Sequence, residues 1–127
     1  MAQLVRCYFR ETGVTAADES FQNGTAFELA LDVEFTDAEI ALAADFTIMV
    51  KVKNNNTNVV TIPLPVAGTP AHNTATNVVA PRNQTFAYTI PAALASTGQF
   101  LDAHVALVIG ASGQDTDICS TTCVIIP

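Results

Sequence analysis

The chain has no tryptophan, and only five of its 127 residues are lysine or arginine. Twelve acids against those five bases give a formal charge of −7, which excludes binding built on nucleic-acid phosphates. Charged residues make up 13% and apolar residues 50%, so intrinsic disorder, which needs low hydrophobicity and high charge, is excluded as well. No unbroken apolar run approaches the ~20 residues that a membrane-spanning helix requires, and no membrane insertion is expected. Catalytic signatures are missing too. There is no G-x-S-x-G, H-E-x-x-H, Walker loop or G-x-G-x-x-G, and the expectation is a non-enzyme without a cofactor. The opening Met1–Cys7 lacks the basic stretch and apolar core of a secretory signal. Three origins fit that opening: retention inside the cell, prior removal of a signal, or assembly in the cytoplasm followed by release, as for virion proteins. Virion or cell surface after assembly is the favoured location.

Cysteine is scarce, and three is an odd number for a disulfide framework. Cys119 and Cys123 lie four apart, which places them ~13 Å apart on one face of an extended segment. A disulfide needs a Cα separation of about 4.4–6.8 Å, so they pair with each other only across a turn. Cys7 reaches either one if the first and last strands are neighbours. One bridge with a spare thiol and a set of free thiols both stay open, the free thiols favoured under a reducing-compartment reading. The spacing is not that of a zinc site, and His72 and His104 join no ligand cluster.

What the chain does have is a period of two. From Phe27 to Phe35 every odd residue is large and apolar, while the even ones are acidic or alanine. Successive strand side chains point to opposite faces, so this reads as a strand with one dry face and one wet face. The pattern returns at Phe46–Lys53 and Thr85–Ile90, and in Val5–Arg10 with Val5, Cys7 and Phe9 inward and Tyr8 outward. Leu101–Ile109 begins the same way and then turns apolar on both sides, as a central strand does. The apolar end Val124–Pro127 reads as a closing strand.

Between these runs lies turn chemistry. Asn23-Gly24 precedes one strand and Asn54–Asn58 follows another. Pro63 and Pro65 confine their segment to a sheet edge, because they donate no ladder bond. Thr69–Arg82 reads as a long crossing loop with a short strand at Val78–Ala80. Thr36 with Glu39 three residues later forms a capping-box pattern for a turn or two of helix. Pro91–Ser96 suits another single turn.

About seven or eight short strands at ~8–15-residue spacing predict an all-β chain forming one domain over 1–127. The expected architecture is a single antiparallel two-sheet β-sandwich with one or two short helical turns. Gln84–Ile109, a strand, a helical turn with Gly98 and a long central strand, resembles the last half of an immunoglobulin-like domain. The resemblance implies a fold only. Without tryptophan there is no Cys…Trp…Cys spacing, so the antibody-type family is not implied.

Candidate chemistry is sparse. His104 shares a strand face with Asp102, about 6–7 Å along the strand, and reads as a packed or half-exposed strand residue rather than a catalytic base. His72 reads as a solvated loop residue. Glu28, Asp32 and Glu34 line one strand face and read as a solvated surface, open to cross-strand pairing with Arg6, Arg10, Lys51 or Lys53. Calcium is the one metal worth weighing. Gln114-Asp115-Thr116-Asp117 reads as a short acidic loop between the last two strands, which makes Asp115 and Asp117 the weak candidates. Asp18-Glu19 and Asp37-Glu39-Asp45 are lesser ones. Calcium takes about six to eight oxygens, which none of these segments supplies alone, so the favoured reading is no metal.

Sixteen threonines, eight asparagines and twenty alanines against two lysines describe a small-residue surface. Lysine is a common guard of sheet edges, and its long side chain makes burial in a contact entropically costly. The expectation is therefore a non-catalytic structural or assembly protein. It would be a homo-oligomer, or a subunit among other structural subunits of a larger particle such as a virion decoration, capsid or tail component, or surface filament. The alternative is an extracellular binding or adhesion module for carbohydrate or protein. For sugar stacking it has little beyond Tyr8.

Overall fold

The computed structural model describes residues 3–110 and 115–127. It is mostly β, built from two open sheets that do not close into a barrel. Ten strands occur among the described residues: β1 (Gln3–Glu11), β2 (Ser20–Gln22), β3 (Phe27–Glu34), β4 (Asp45–Asn54), β5 (Val60–Thr61), β6 (Leu64–Pro65), β7 (Thr76–Asn77), β8 (Asn83–Thr89), β9 (Phe100–Ile109) and β10 (Asp115–Ile126). The first sheet runs β1-β3-β8-β6; the second runs β2-β10-β9-β4-β5, with β7 also on β4. The hydrophobic core is shared between them, consistent with a sandwich.

The count exceeds the seven or eight expected because β2, β5, β6 and β7 are only two or three residues long. The ladder is not wholly antiparallel either, since β2 runs parallel to β10. Phe21, the apolar residue of β2, stacks on Phe27 at 4.4 Å between ring centroids. Burial of one aromatic thus fixes this short strand in a polar stretch. The short strand expected at Val78–Ala80 forms instead at Thr76–Asn77, opposite Asp45 and Phe46, while Val78 turns into the core.

Alternation holds where it was clearest. Phe27, Leu29, Leu31, Val33 and Phe35 are all buried, as are Phe46, Ile48, Val50 and Val52 of β4, and Leu101, Ala103, Val105 and Leu107 of β9. It fails at Val5, which is exposed although it was expected to face inward. The register slips between Leu4 and Arg6. A bulge at Val5 puts one extra residue on β1, so Leu4 and Cys7, three apart, both face the core. Cys7 thereby meets Cys119 of β10 in a disulfide, with Cα atoms 6.1 Å apart, and Cys123 stays a buried free thiol. One bridge plus a spare replaces the favoured set of free thiols, because β1 and β10 lie together where the two sheets meet. Burial pushes the Cys123 thiol up to about 12, which keeps it protonated and inert.

The helical turns fall where the caps put them. Thr36 and Glu39 make the full capping box ahead of α1 (Asp37–Ala41), and a 3₁₀ turn covers Ala92–Leu94. The Pro63 segment carries the chain from β5, at one edge of the second sheet, to β6, at an edge of the first. Buried Asn54 ends β4 and organises the turn after it. Its side-chain N–H groups donate to Leu94 O and Gln99 Oε1, and its oxygen accepts from the N–H groups of Asn56 and Thr57.

His72 is not a free loop residue. Between β7 and β5 the edge of β4 is uncovered by strand, and the 69–82 loop fills the gap. Val50 N–H donates to His72 Nδ1 at 2.9 Å, and Asn73 N–H donates to Ile48 O at 2.8 Å. The imidazole Nδ1 stands in for a ladder acceptor. His72→Ala leaves the Val50 N–H without a partner and is expected to cost about 1–3 kcal/mol, read as a lower denaturant midpoint at unchanged m-value.

Candidate functional site

The outer faces of the two sheets differ. That of the first sheet is closed by its own side chains. Direct register places Arg6 opposite Asp32 and Arg10 opposite Glu28, and both pairs form, at 2.9 and 2.7 Å. Asp32 also accepts from Thr85 Oγ1 at 2.8 Å and from Tyr8 Oη at 3.3 Å. The Arg6 guanidinium lies 4.0 Å over the Tyr8 ring. Arg82 bridges Glu34 and Asp37, 3.7 Å from each. Two expectations change here. Tyr8, proposed as an outward stacking platform, is buried beneath Arg6. Glu28, expected in solvent, is buried against Arg10. The pairing partners are the arginines, because Lys51 and Lys53 lie on β4, in the other sheet.

Burial lifts the Asp32 carboxyl, but hydrogen bonds from Arg6 and Thr85 outweigh it and hold the group below the usual carboxylate range. The unfolded chain therefore takes up this proton at a higher pH than the folded one. The stabilisation is complete above about pH 4 and is lost as the pH falls through the lower folded-state value. Urea midpoints measured from neutral pH downward should fall in that acid window, and Asp32→Asn should flatten the decline.

The outer face of the second sheet is open, and three long strands set it out in rows. Register places Thr116, Val108 and Thr47 side by side; then Ile118, Ala106 and Met49; then Ser120, His104 and Lys51; then Thr122, Asp102 and Lys53. The small Ala106 between Ile118 and Met49 makes a shallow trough of about 570 Å³ whose lining extends to Lys51, His104 and Ser120. Ile118 is 76% exposed and Met49 40%. Neither lysine forms an ion pair among the described residues, whereas every arginine does. The basic groups without a salt bridge thus gather beside an apolar row in a chain that is otherwise acidic.

Ser120, His104 and Asp102 share this face, but the hydrogen-bonded order of a nucleophilic triad is not present among the described residues. The two Asp102 oxygens accept from Thr122 Oγ1, at 2.6 Å, and from Asn55 Nδ2. Those bonds hold its carboxyl below the usual range, and no hydrogen bond links it to His104. His104 is an exposed strand residue.

The calcium candidates are separated. Asp117 does not lie in a loop: it is in β10 opposite Leu107, and its carboxylate accepts from the N–H groups of Leu4, at 2.8 Å, and Ile118, at 3.0 Å. Asp115 opens the same strand opposite Ile109, and Gln114 lies outside the described residues. The reason is local: Thr116 and Ile118 are β-branched and extend the ladder. Asp18 accepts from the N–H groups of Glu19 and Ser20, and Glu39 is engaged in the capping box. Among the described residues, no three His, Cys, Asp or Glu converge on a metal-sized site.

Sequence reasoning missed Ile118 and Met49. Each sits singly on the outer face of its own strand, Met49 between Thr47 and Lys51 and Ile118 between Thr116 and Ser120, and only the register of three strands brings them into one row. No protein-family model matches the chain, and no curated protein sequence matches it.

Proposed function

We propose that this protein is a non-catalytic assembly subunit of a larger particle, a virion decoration, capsid or tail component or a surface filament, contacting its neighbours through the outer face of β4, β9 and β10. The exposed Ile118–Ala106–Met49 row carries this reading. β4 and β9 already bury a complete apolar face inward, so a second apolar row turned to water is surface kept for a partner. An immunoglobulin-like topology is part of the proposal, supported by the strand order of the two sheets and by β2 running parallel to β10. The Cys7–Cys119 bridge supports residence in an oxidising environment. Electron microscopy of the purified protein tests the reading: ordered oligomers or filaments are expected, and featureless monomers would count against it.

A second reading, a binding module for a protein ligand, is favoured by the charge of the same face. Lys51, Lys53 and His104 beside the apolar row suit an acidic, apolar segment. Binding of such peptides that weakens with salt and disappears in Lys51→Glu would favour it over self-assembly.

A further inference from the structure

We propose that the free edge of β10 between Thr116 and Thr122 pairs antiparallel with the same edge of a second copy, joining two sheets into one across a twofold axis. This deepens the assembly reading, on which it rests, by naming the first contact. β9 covers one side of β10 from Asp115 to Val124, but β2 covers the other side only from Val124 to Ile126. Val124 N–H donates to Glu19 O on the β2 side at 2.9 Å. Alternate residues of a strand aim their polar backbone groups the same way, so Thr122, Ser120, Ile118 and Thr116 point theirs outward along that edge. None of the four has a backbone partner on that side among the described residues; Ile118 N–H alone is met, by the Asp117 carboxylate.

The long edges of β1 and β4 are guarded. β1 is bulged at Val5, gives its Leu4 N–H to Asp117 and has its Phe9 oxygen taken by Asp18 N–H. The edge of β4 is capped by β5, β7 and His72. Thr116–Thr122 has no proline, no lysine and no break in its register with β9, three devices that blunt an edge; its one charged residue, Asp117, covers a single N–H of that edge. β2 demonstrates that a strand fits against this edge at one end.

A second copy suits the remainder in charge and in pattern. With the twofold at Cys119, Ile118 faces Ser120 of the partner subunit and Thr116 faces Thr122 of the partner subunit. Asp117 faces Thr121 of the partner subunit, so no like charges oppose each other. The two Ile118 side chains then lie diagonally on one face, which takes the most exposed residue of the apolar row out of water.

Sedimentation of the full chain over a micromolar concentration series tests this. A dimer is expected, with amide exchange at Thr116, Ile118, Ser120 and Thr122 slowing as the dimer fills. Ser120→Pro removes one outward N–H without touching the ladder to β9, and Ile118→Lys sets like charges across the axis. Each should weaken dimerisation about tenfold or more, with the circular dichroism of the folded chain retained. Oligomers that persist undiminished in both variants, or four amides whose exchange ignores concentration while oligomers form, overturn the edge pairing and leave the assembly reading standing. A wild-type chain that stays monomeric in sedimentation and in micrographs overturns both.

Discussion

Reducing the Cys7–Cys119 bridge is expected to lower the unfolding free energy by about 4–5 kcal/mol, the largest single effect in the molecule. The bridge spans 112 positions of sequence. In the chain-entropy description, cross-linking a loop of about 100 residues removes ~4.7 kcal/mol of freedom from the unfolded ensemble. The comparison is guanidinium unfolding with and without reductant, repeated with Cys7→Ala/Cys119→Ala. The variant should match the reduced wild type, because Cys123 is buried, with its thiol pushed up to about 12, and takes no part in exchange. Equal midpoints with and without reductant would show that the fold does not depend on the bridge.

The second large effect lies on the outer face of the first sheet. Arg10→Met is expected to cost about 3–5 kcal/mol, since it strands the Glu28 carboxylate in a site that excludes water. The two side chains are 17% and 7% exposed and 2.7 Å apart, unlike the exposed Arg82 pairs, whose loss should cost at most ~1 kcal/mol. Adding Glu28→Leu to Arg10→Met removes the orphaned charge and should restore most of the loss, because an apolar pair of similar size packs where the ions did. A double variant no more stable than the single one would assign the cost to Arg10 packing rather than to the charge. Chemical denaturation of the four chains in a double-mutant cycle separates the two contributions.

The difference between these sites shows what a single strand's pattern carries. β3, β4 and β9 were legible because each repeats its own alternation over eight or more residues, and one dry face per strand is enough to call a two-layer core. The capping box at Thr36 and Glu39 was legible because both partners lie within four residues. Tyr8 was misread because its burial depends on Asp32, which lies on another strand and outside the run Val5–Arg10, and on Arg6 of the same run folding over the ring to reach that carboxylate. Val5 was misread because a bulge shifts parity without leaving a mark in composition. Of the loop expected at Gln114–Asp117, the described part, from Asp115 on, is strand, because the β-branched Thr116 and Ile118 extend the ladder to β9. The open face lay furthest from reach, because a row across three strands exists only once their registers are set.

The cysteine bridge also changes how the protein would carry a load. Tension applied outside residues 7 and 119 passes from one flank to the other through two sulfur atoms and bypasses the folded layers between them. Drawing out the segments outside the bridge frees Leu4, Cys123 and Ile125 from the core, but the chain between Cys7 and Cys119 cannot be extended until the sulfur link itself gives way. A chain of such units in a filament would stretch little and would soften abruptly when exposed to reductant.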